Sequence, residues 1–386
     1  MRVLFILHET GEHSGAWKSA SLLLQGLRER QIDLKVLTPD KKEVYSILVD
    51  AGYNVKAIKI VWDDTKQNTS FLYKVYRIPF DIRRKILSRL WMHRVGQIVK
   101  EYRPDIIHTN SSVFYLGYDL AKRFKIPHVW HIREYGDLDF GLKIKNTQRR
   151  LNEKDSYNIC IANGILNYRG LTGDPRSCVI YNGIMPSCEV KFVYPKSDFF
   201  LYVGSLGEGK GIRDIIDAWL LFVQQNDNVV YSLKIAGGYQ FEIDYWTKYI
   251  EAHDRKIVNI EFLGMRNDVK ELMSHAKALI VASYSEAFGR VTAEGMFNGA
   301  LVIGRDTAGT KEQFDNGLSL CGREIALRFT NTRSLVERLK SAVALDENVY
   351  SDYILSSQAV VKKLYSTETC VNKVADLYRN ICTRCK

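Results

Sequence analysis

The sequence predicts an α/β protein made of two successive doubly wound parallel sheets. Short β-prone runs alternate with helix-period stretches, the pattern of strand–helix–strand units. The alternation occurs twice, with a Pro- and Gly-punctuated segment between the two series. A length of 386 residues, at about 100–200 residues per domain, leaves room for two or three separate cores.

The first series opens on the apolar run 2–7, followed by a loop holding Gly11 and Gly15 and by the helix-period residues Leu22, Leu23, Leu24 and Leu27. DLKVLTPD (33–40), YNVKAIKI (53–60), PDIIHTN (104–110) and PHVWHIRE (127–134) follow as strand candidates. The second series comprises SDFFLYVGS (197–205), VVYSLKIAGG (229–238), IVNIEFLG (257–264), KALIVASY (277–284) and ALVIGRD (300–306). Asn182-Gly183, Pro186 and Pro195 mark a hinge over about 183–197. The expected division is 1–182, 183–360 and a helical tail 361–386 free to pack back on the first domain, within a helix read over 350–381.

Composition excludes several classes. With 46% hydrophobic and 26% charged residues and 7 Pro, the chain is neither disordered nor collagenous. No apolar run reaches the roughly 18 residues of a membrane span. The start MRVLFILHETGEH reads as a strand and not a secretory leader, so a cytoplasmic protein is expected. Seven scattered cysteines imply free thiols, and the Cys382–Cys385 pair lacks the two further ligands of a zinc site.

The chemistry concentrates in SYSEAFGRVTAEGMFNGALVIG (283–304). Gly289 ends a tight loop and a helix follows, so the amides of Phe288, Gly289 and Arg290 lie at a helix start suited to an anion or hydroxyl. Glu294 sits about one turn into that helix, where a carboxylate can accept two hydrogen bonds from a diol. Acidic residues are favoured near helix starts in any case, so spacing alone leaves Glu286 and Glu294 open to a purely local role. No DxD pair follows a strand of the second domain; Asp63-Asp64 and Asp137 with Asp139 lie in the first. GSLGEGKG (204–211) lacks the spacing and the Ser or Thr of a P-loop.

In these motifs the chain resembles the retaining glycosyltransferases of family 4, whose signature is E-x7-E in a strand–loop–helix setting. Further matches are VIYNGI (179–184), LYVGSLGEGKGIRDIIDA (201–218), IAGG (235–238), FLG (262–264) and AGTKE (308–312). The resemblance implies the GT-B architecture of two facing Rossmann-like domains with a cleft between them, and no metal or other cofactor. It gives Glu286 the donor sugar, Glu294 the donor ribose and Lys210 the diphosphate, with Glu312 supporting the site. Where family members carry an arginine after the glycine of the first strand, here Gly204, this chain has Ser205, and Arg290 or Arg266 is expected to supply the missing cation. Gly15 matches the Gly-rich loop of the first domain. His131 resembles the histidine that contacts the donor sugar, and His108, at another strand end, is expected on the acceptor side.

The stretch 74–100 carries Lys74, Arg77, Arg83, Arg84, Lys85, Arg89, Arg94 and Lys100 against Asp81, with Ile82, Ile86, Leu87, Leu90 and Trp91 interleaved. A solvated helix and a membrane-surface helix both fit this pattern. The net charge of +11 and the resemblance favour peripheral binding to the anionic inner face of the plasma membrane, and no nucleic-acid motif accompanies the patch. The expected activity is metal-independent transfer of a hexose from a nucleotide diphosphate sugar, UDP- or GDP-linked, to a lipid-linked or oligosaccharide acceptor in cell-surface polysaccharide synthesis, such as capsule or lipopolysaccharide. A sugar-nucleotide enzyme acting on a small soluble acceptor and a catalytically silent partner subunit are the alternatives.

Overall fold

The computed structural model describes the backbone of residues 1–59, 64–66, 71–140, 142–144, 147–226, 229–253 and 259–384. Between residues 60 and 90 the side chains it describes are Pro79, Ile82, Arg83 and Ile86, and those of 139–147 and 253 are outside it. The chain forms two compact units: Met1–Gly183 together with Thr367–Lys386, and Ile184–Ser366.

The first unit contains β1 (Arg2–Ile6), β2 (Asp33–Thr38), β3 (Asn54–Ala57), β4 (Asp64–Lys66), β5 (Ile106–Thr109), β6 (His128–Ile132), β7 (Leu142–Ile144), β8 (Ser156–Cys160) and β9 (Ser177–Val179). Seven of them form a parallel sheet in the order β3-β2-β1-β5-β6-β8-β9, and β4 pairs antiparallel with β7. Both faces of β1 are buried, as a parallel sheet covered by helices requires. Val3 and Phe5 face Leu23 and Leu27 of the helix Gly15–Glu29 and the C-terminal helix Thr367–Arg384; Leu4 and Ile6 face Val95, Ile98 and Val99. β8 and β9 escaped the sequence reading because SYNIC and SCV are short and partly polar. Asn158 is buried there by donating to Leu151 O and Ser177 Oγ.

The second unit contains β10 (Ser197–Val203), β11 (Ser232–Ala236), β12 (Ile260–Gly264), β13 (Ala276–Val281), β14 (Val302–Arg305) and β15 (Leu327–Phe329). All are parallel, in the order β12-β11-β10-β13-β14-β15. Phe200, Trp219, Trp246, Ile280, Ile303 and Phe329 anchor its core.

Two expectations need correction. The helix read over 350–381 is interrupted: Glu347–Val360 passes into a π-turn, Val361–Tyr365, then Ser366 takes an extended conformation and bridges to Met185 before Thr367–Arg384 begins. The chain therefore returns to the first unit after Ser366, not after residue 360. The basic stretch 74–100 lies in the helix Phe71–Tyr102, which includes Pro79. Arg83, Ile82 and Ile86 are exposed, whereas Val95, Ile98 and Val99 pack on the sheet; the side chains of Lys74, Arg77, Asp81, Arg84, Lys85, Leu87, Arg89 and Leu90 lie outside the described residues.

Candidate functional site

In the second unit the strand order reverses between β10 and β13, the position at which an open parallel sheet leaves a crevice at its carboxyl edge. The loops 204–211 and 282–289 emerge there. Lys210 closes a short 3₁₀ turn, Glu208–Lys210, and Gly211 at φ 72° redirects the chain into the helix Ile212–Gln224. A Cβ at position 211 would lie 2.2 Å from the carbonyl oxygen of Ala282, so only glycine lets the first loop press against the second. Tyr284 N–H donates to Gly209 O at 3.1 Å, and Lys210 Nζ donates to Glu286 Oε1 at 2.5 Å. The Lys210 and Glu286 side chains are 39% and 27% exposed, so the pair is open to a ligand.

The loop carrying Glu286 is braced from below. Arg305, buried at the end of β14, donates from Nε to Ala282 O at 2.8 Å, pairs with Asp214 and lies over the Tyr284 ring. Tyr284 in turn donates its hydroxyl to Asp214 at 2.7 Å. Gly309 N–H reaches Glu286 O at 2.8 Å, and Gln313 Nε2 donates to the carbonyls of Phe288 and Gly289 at 2.5 and 2.9 Å. Arg305, Asp214 and Gln313 were not singled out from sequence, because their importance lies in partners far along the chain.

Gly289 begins the helix Arg290–Phe297 without a side-chain cap. The Phe288 side chain is buried edge-on against Tyr365, so a ligand could meet its backbone and not its ring. Arg290 donates to Glu294 Oε1 at 2.9 Å across one helical turn. Arg266 forms a two-point pair with Asp268, at 2.8 and 2.5 Å. Both candidates for the missing cation are thus engaged with carboxylates. Ser205 is exposed next to Gly204, and its carbonyl accepts from Tyr202 Oη at 2.6 Å. Glu312 is half-buried on the helix Ala308–Cys321.

In the first unit the order reverses between β1 and β5. Gly15 is the first residue of its helix, which Ser14 caps by accepting from Trp17 N–H at 3.0 Å. The histidines are placed differently from expectation. His131 lies within β6, not at its end, and His108 within β5; both are fully buried beneath the C-terminal helix. Tyr378 and His108 Nδ1 are 2.6 Å apart, and His108 Nε2 is 3.3 Å from His131 Nδ1. The two contacts link Tyr378, His108 and His131 into one buried hydrogen-bonded chain. His131 Nε2, at the far end of that chain, has no partner among the described residues. Burial, reinforced by the nearby Arg133 charge, holds both imidazoles well below their usual range and therefore neutral.

The strand ends themselves carry a different set. Asn110 Nδ2 donates to Glu9 Oε1 at 2.8 Å, Arg133 Nε to Asn110 Oδ1 at 2.8 Å, and an Arg133 amino group to Asn182 Oδ1 at 2.7 Å. Glu134 Oε1 accepts from Ser111 Oγ, Ser112 N and Ser112 Oγ at 2.9, 2.6 and 2.8 Å. Glu9, Asn110, Arg133, Glu134 and Asn182 are all buried at this edge. Their sequence signal was an Arg-Glu pair directly after the apolar part of PHVWHIRE. Among the described residues no cluster of three or more His, Cys, Asp or Glu could hold a metal ion.

Residues 13–187 match the Glycosyltransferase Family 4 family and residues 189–353 match Glycosyl transferases group 1, so the two matches cover both units. The chain belongs to the group 1/family 4 glycosyltransferases. This glycosyltransferase is 24% identical to an uncharacterised glycosyltransferase of Methanocaldococcus jannaschii, over 91% of this chain and 99% of the other. Its fold matches the crystal structure of Anabaena HepE in complex with UDP, with TM-score 0.75 and 18% identity over 98% and 100% of the two chains. It also matches WaaG, a glycosyltransferase involved in lipopolysaccharide biosynthesis, with TM-score 0.64 and 14% identity over 97% and 99%. The glycosyltransferase fold is therefore GT-B, with two Rossmann-like units. No described helix is long and apolar enough to cross a membrane.

Proposed function

We propose that this glycosyltransferase moves a hexose, with retention of anomeric configuration and without a metal, from a nucleotide diphosphate sugar to a growing glycan. The observation that carries the proposal is the Lys210–Glu286 pair at the strand-order reversal of the second unit, beside an uncapped helix start at 289–290. Bond breaking between the anomeric carbon and the diphosphate leaves the electron pair on the leaving oxygen. Lys210 and the helix-start amides stabilise that charge. The acceptor hydroxyl attacks from the same face through an oxocarbenium-like state, and its proton passes to the departing phosphate. Glu286 orients the sugar, and shares Lys210 with the diphosphate once donor is bound. Glu294, held by Arg290 through one oxygen, offers the other to the ribose hydroxyls.

Nucleotide binding by HepE and its structure with UDP-glucose support UDP as the first donor base to try, with GDP as the second. The place of WaaG in lipopolysaccharide biosynthesis supports a cell-surface glycan, lipid-linked, as acceptor. Exposed Arg83, Ile82 and Ile86 on a basic helix fit peripheral attachment to an anionic membrane surface.

A thermal-shift panel of UDP, GDP, dTDP, CDP and ADP with and without magnesium tests the donor reading, because a ligand held only by the folded state raises Tm. One diphosphate should raise Tm equally in both conditions. A shift that requires magnesium rejects metal independence, and no shift with any of them rejects the donor site.

A further inference from the structure

The amino edge of the first sheet, opposite the edge that carries Arg133 and Glu134, holds a cavity of about 170 Å³. It lies where β6 begins at His128 and β8 at Ser156, and the helix Leu116–Phe124 with the turn after it closes another side. At the rise of a strand, His128 and Arg133 are about 16 Å apart, so the cavity is distinct from the polar network at the carboxyl edge.

The walls carry charge of both signs in balance. Lys122 Nζ donates to Glu153 Oε1 at 2.8 Å and lies 3.4 Å from Tyr118 Oη. Lys125 and Asp155 add one more cation and one more anion, and neither side chain is paired among the described residues. Ala121 and Ile126 supply an apolar patch. His128 is the unsatisfied member. Its ring is buried, its Nε2 is 2.7 Å from Thr109 Oγ1, and its Nδ1 has no partner among the described residues. Burial lowers its pKa to about 3, so the ring is neutral and Nδ1 is left as either a lone N–H or a bare acceptor. A buried polar atom in that state destabilises the fold until something bonds to it.

These walls select a class of occupant. An anion gains little where each lysine is matched by a carboxylate, and an apolar molecule leaves Nδ1 and Asp155 unsatisfied. A neutral polyol meets every group: a hydroxyl donates to a carboxylate, accepts from an ammonium, and serves Nδ1 in either tautomer. A cavity of about 150 Å³ holds benzene, so this one admits a single six-membered ring. We propose that the cavity is a second carbohydrate site, which holds one pyranose residue of a glycan separately from the candidate site of the second unit. Asp155 and Lys125 meet its hydroxyls, and Ala121 and Ile126 meet its C–H face. In a glycosyltransferase such a site keeps hold of a glycan by a second point of attachment, which raises the effective concentration at the first.

Methyl NMR of the full chain, labelled at its alanine and isoleucine methyl groups, tests this with D-glucose, D-galactose, D-mannose and inorganic phosphate as probes. At least one sugar should shift the Ala121 and Ile126 resonances saturably, and phosphate should leave them in place. Lys125→Ala/Asp155→Ala should bind that sugar at least about 10-fold more weakly, read at the same two methyls, since each exchange removes a hydrogen bond to a charged group. Its Tm should match wild type, because both side chains are exposed. Resonances that stay fixed with all three sugars overturn the site, as does a variant that binds sugar as wild type does. Equal shifts with phosphate overturn the carbohydrate assignment in favour of an anion site. Shifts confined to methyls of the second unit report sugar at the candidate site there and overturn the cavity as a site. Each of these failures leaves the donor reading of Lys210 and Glu286 standing.

Discussion

The hydroxyl of Tyr378, on the C-terminal helix, is hydrogen-bonded to Nδ1 of His108 in β5 at 2.6 Å, a bond between residues 270 positions apart and wholly buried. With the His108–His131 contact it couples two neutral histidines, and it ties the C-terminal helix to the middle of the first sheet. Tyr378→Phe keeps the ring that packs there and leaves His108 Nδ1 without its partner. A buried polar group so orphaned costs about 1–3 kcal/mol. Urea unfolding should show that loss at pH 8; equal stability of the variant would mean that a water replaces the hydroxyl.

Stability should fall with acid. His108, His128 and His131 are fully buried, and burial lowers all three from the ordinary value, His128 to about 3. Above about pH 6.5 both folded and unfolded chains hold these groups neutral, and the stability is fully present. As pH falls below 6.5 the unfolded chain takes up protons that the folded chain refuses, so each histidine removes about 1.4 kcal/mol per pH unit. For His128 this continues down to about pH 3. Urea midpoints measured from pH 7.5 to 5 should decline, and His128→Phe should decline less steeply than wild type. A profile flat over that range contradicts neutral burial.

Gly211 is where the two loops of the candidate site in the second unit meet. Gly211→Ala places a methyl group 2.2 Å from Ala282 O and strains a φ of 72°. The loop bearing Lys210 must then withdraw from the loop bearing Glu286. Transfer should fall at least about 10-fold, the scale expected when reacting groups are displaced by a fraction of an ångström to 1 Å. A variant with wild-type kcat/KM would show that contact between the loops is dispensable.

Lys210→Ala should lower kcat about 10²- to 10³-fold, the usual consequence of removing one group that stabilises developing negative charge. Glu286→Gln should lower kcat while leaving UDP affinity within a few-fold, because the role proposed for it is at the sugar. Glu294→Ala should lose UDP binding itself. Steady-state kinetics and nucleotide titration on the same three variants separate these roles, and a common loss of all parameters would indicate a collapsed loop.

Much of this protein was legible in its sequence because the relevant physics is local. Apolar runs bounded by glycine and proline located β1, β2, β5, β6 and β10–β14, and the setting of Glu286 and Glu294 in a strand, loop and helix was read from contiguous residues. What remained hidden depended on pairs distant in the chain. PHVWHIRE showed a strand, but not that the strand stops at Ile132, which buries His131 and brings Arg133 and Glu134 to the edge. The helical tail was visible, but its interruption at 361–365 was not, since a π-turn leaves no mark on apolar periodicity.

The sequence by itself determined the two α/β series, the break between them near Gly183 and the residue types gathered around Glu286, because hydrophobic period and turn chemistry act over a few residues. Only the tertiary structure decided that Lys210 meets Glu286, that Arg133 joins Asn110 to Asn182, and that Tyr378 reaches His108. Each of those bonds spans between 23 and 270 positions, and its partner is chosen by strand order and by helix packing. Neither is written in any one segment.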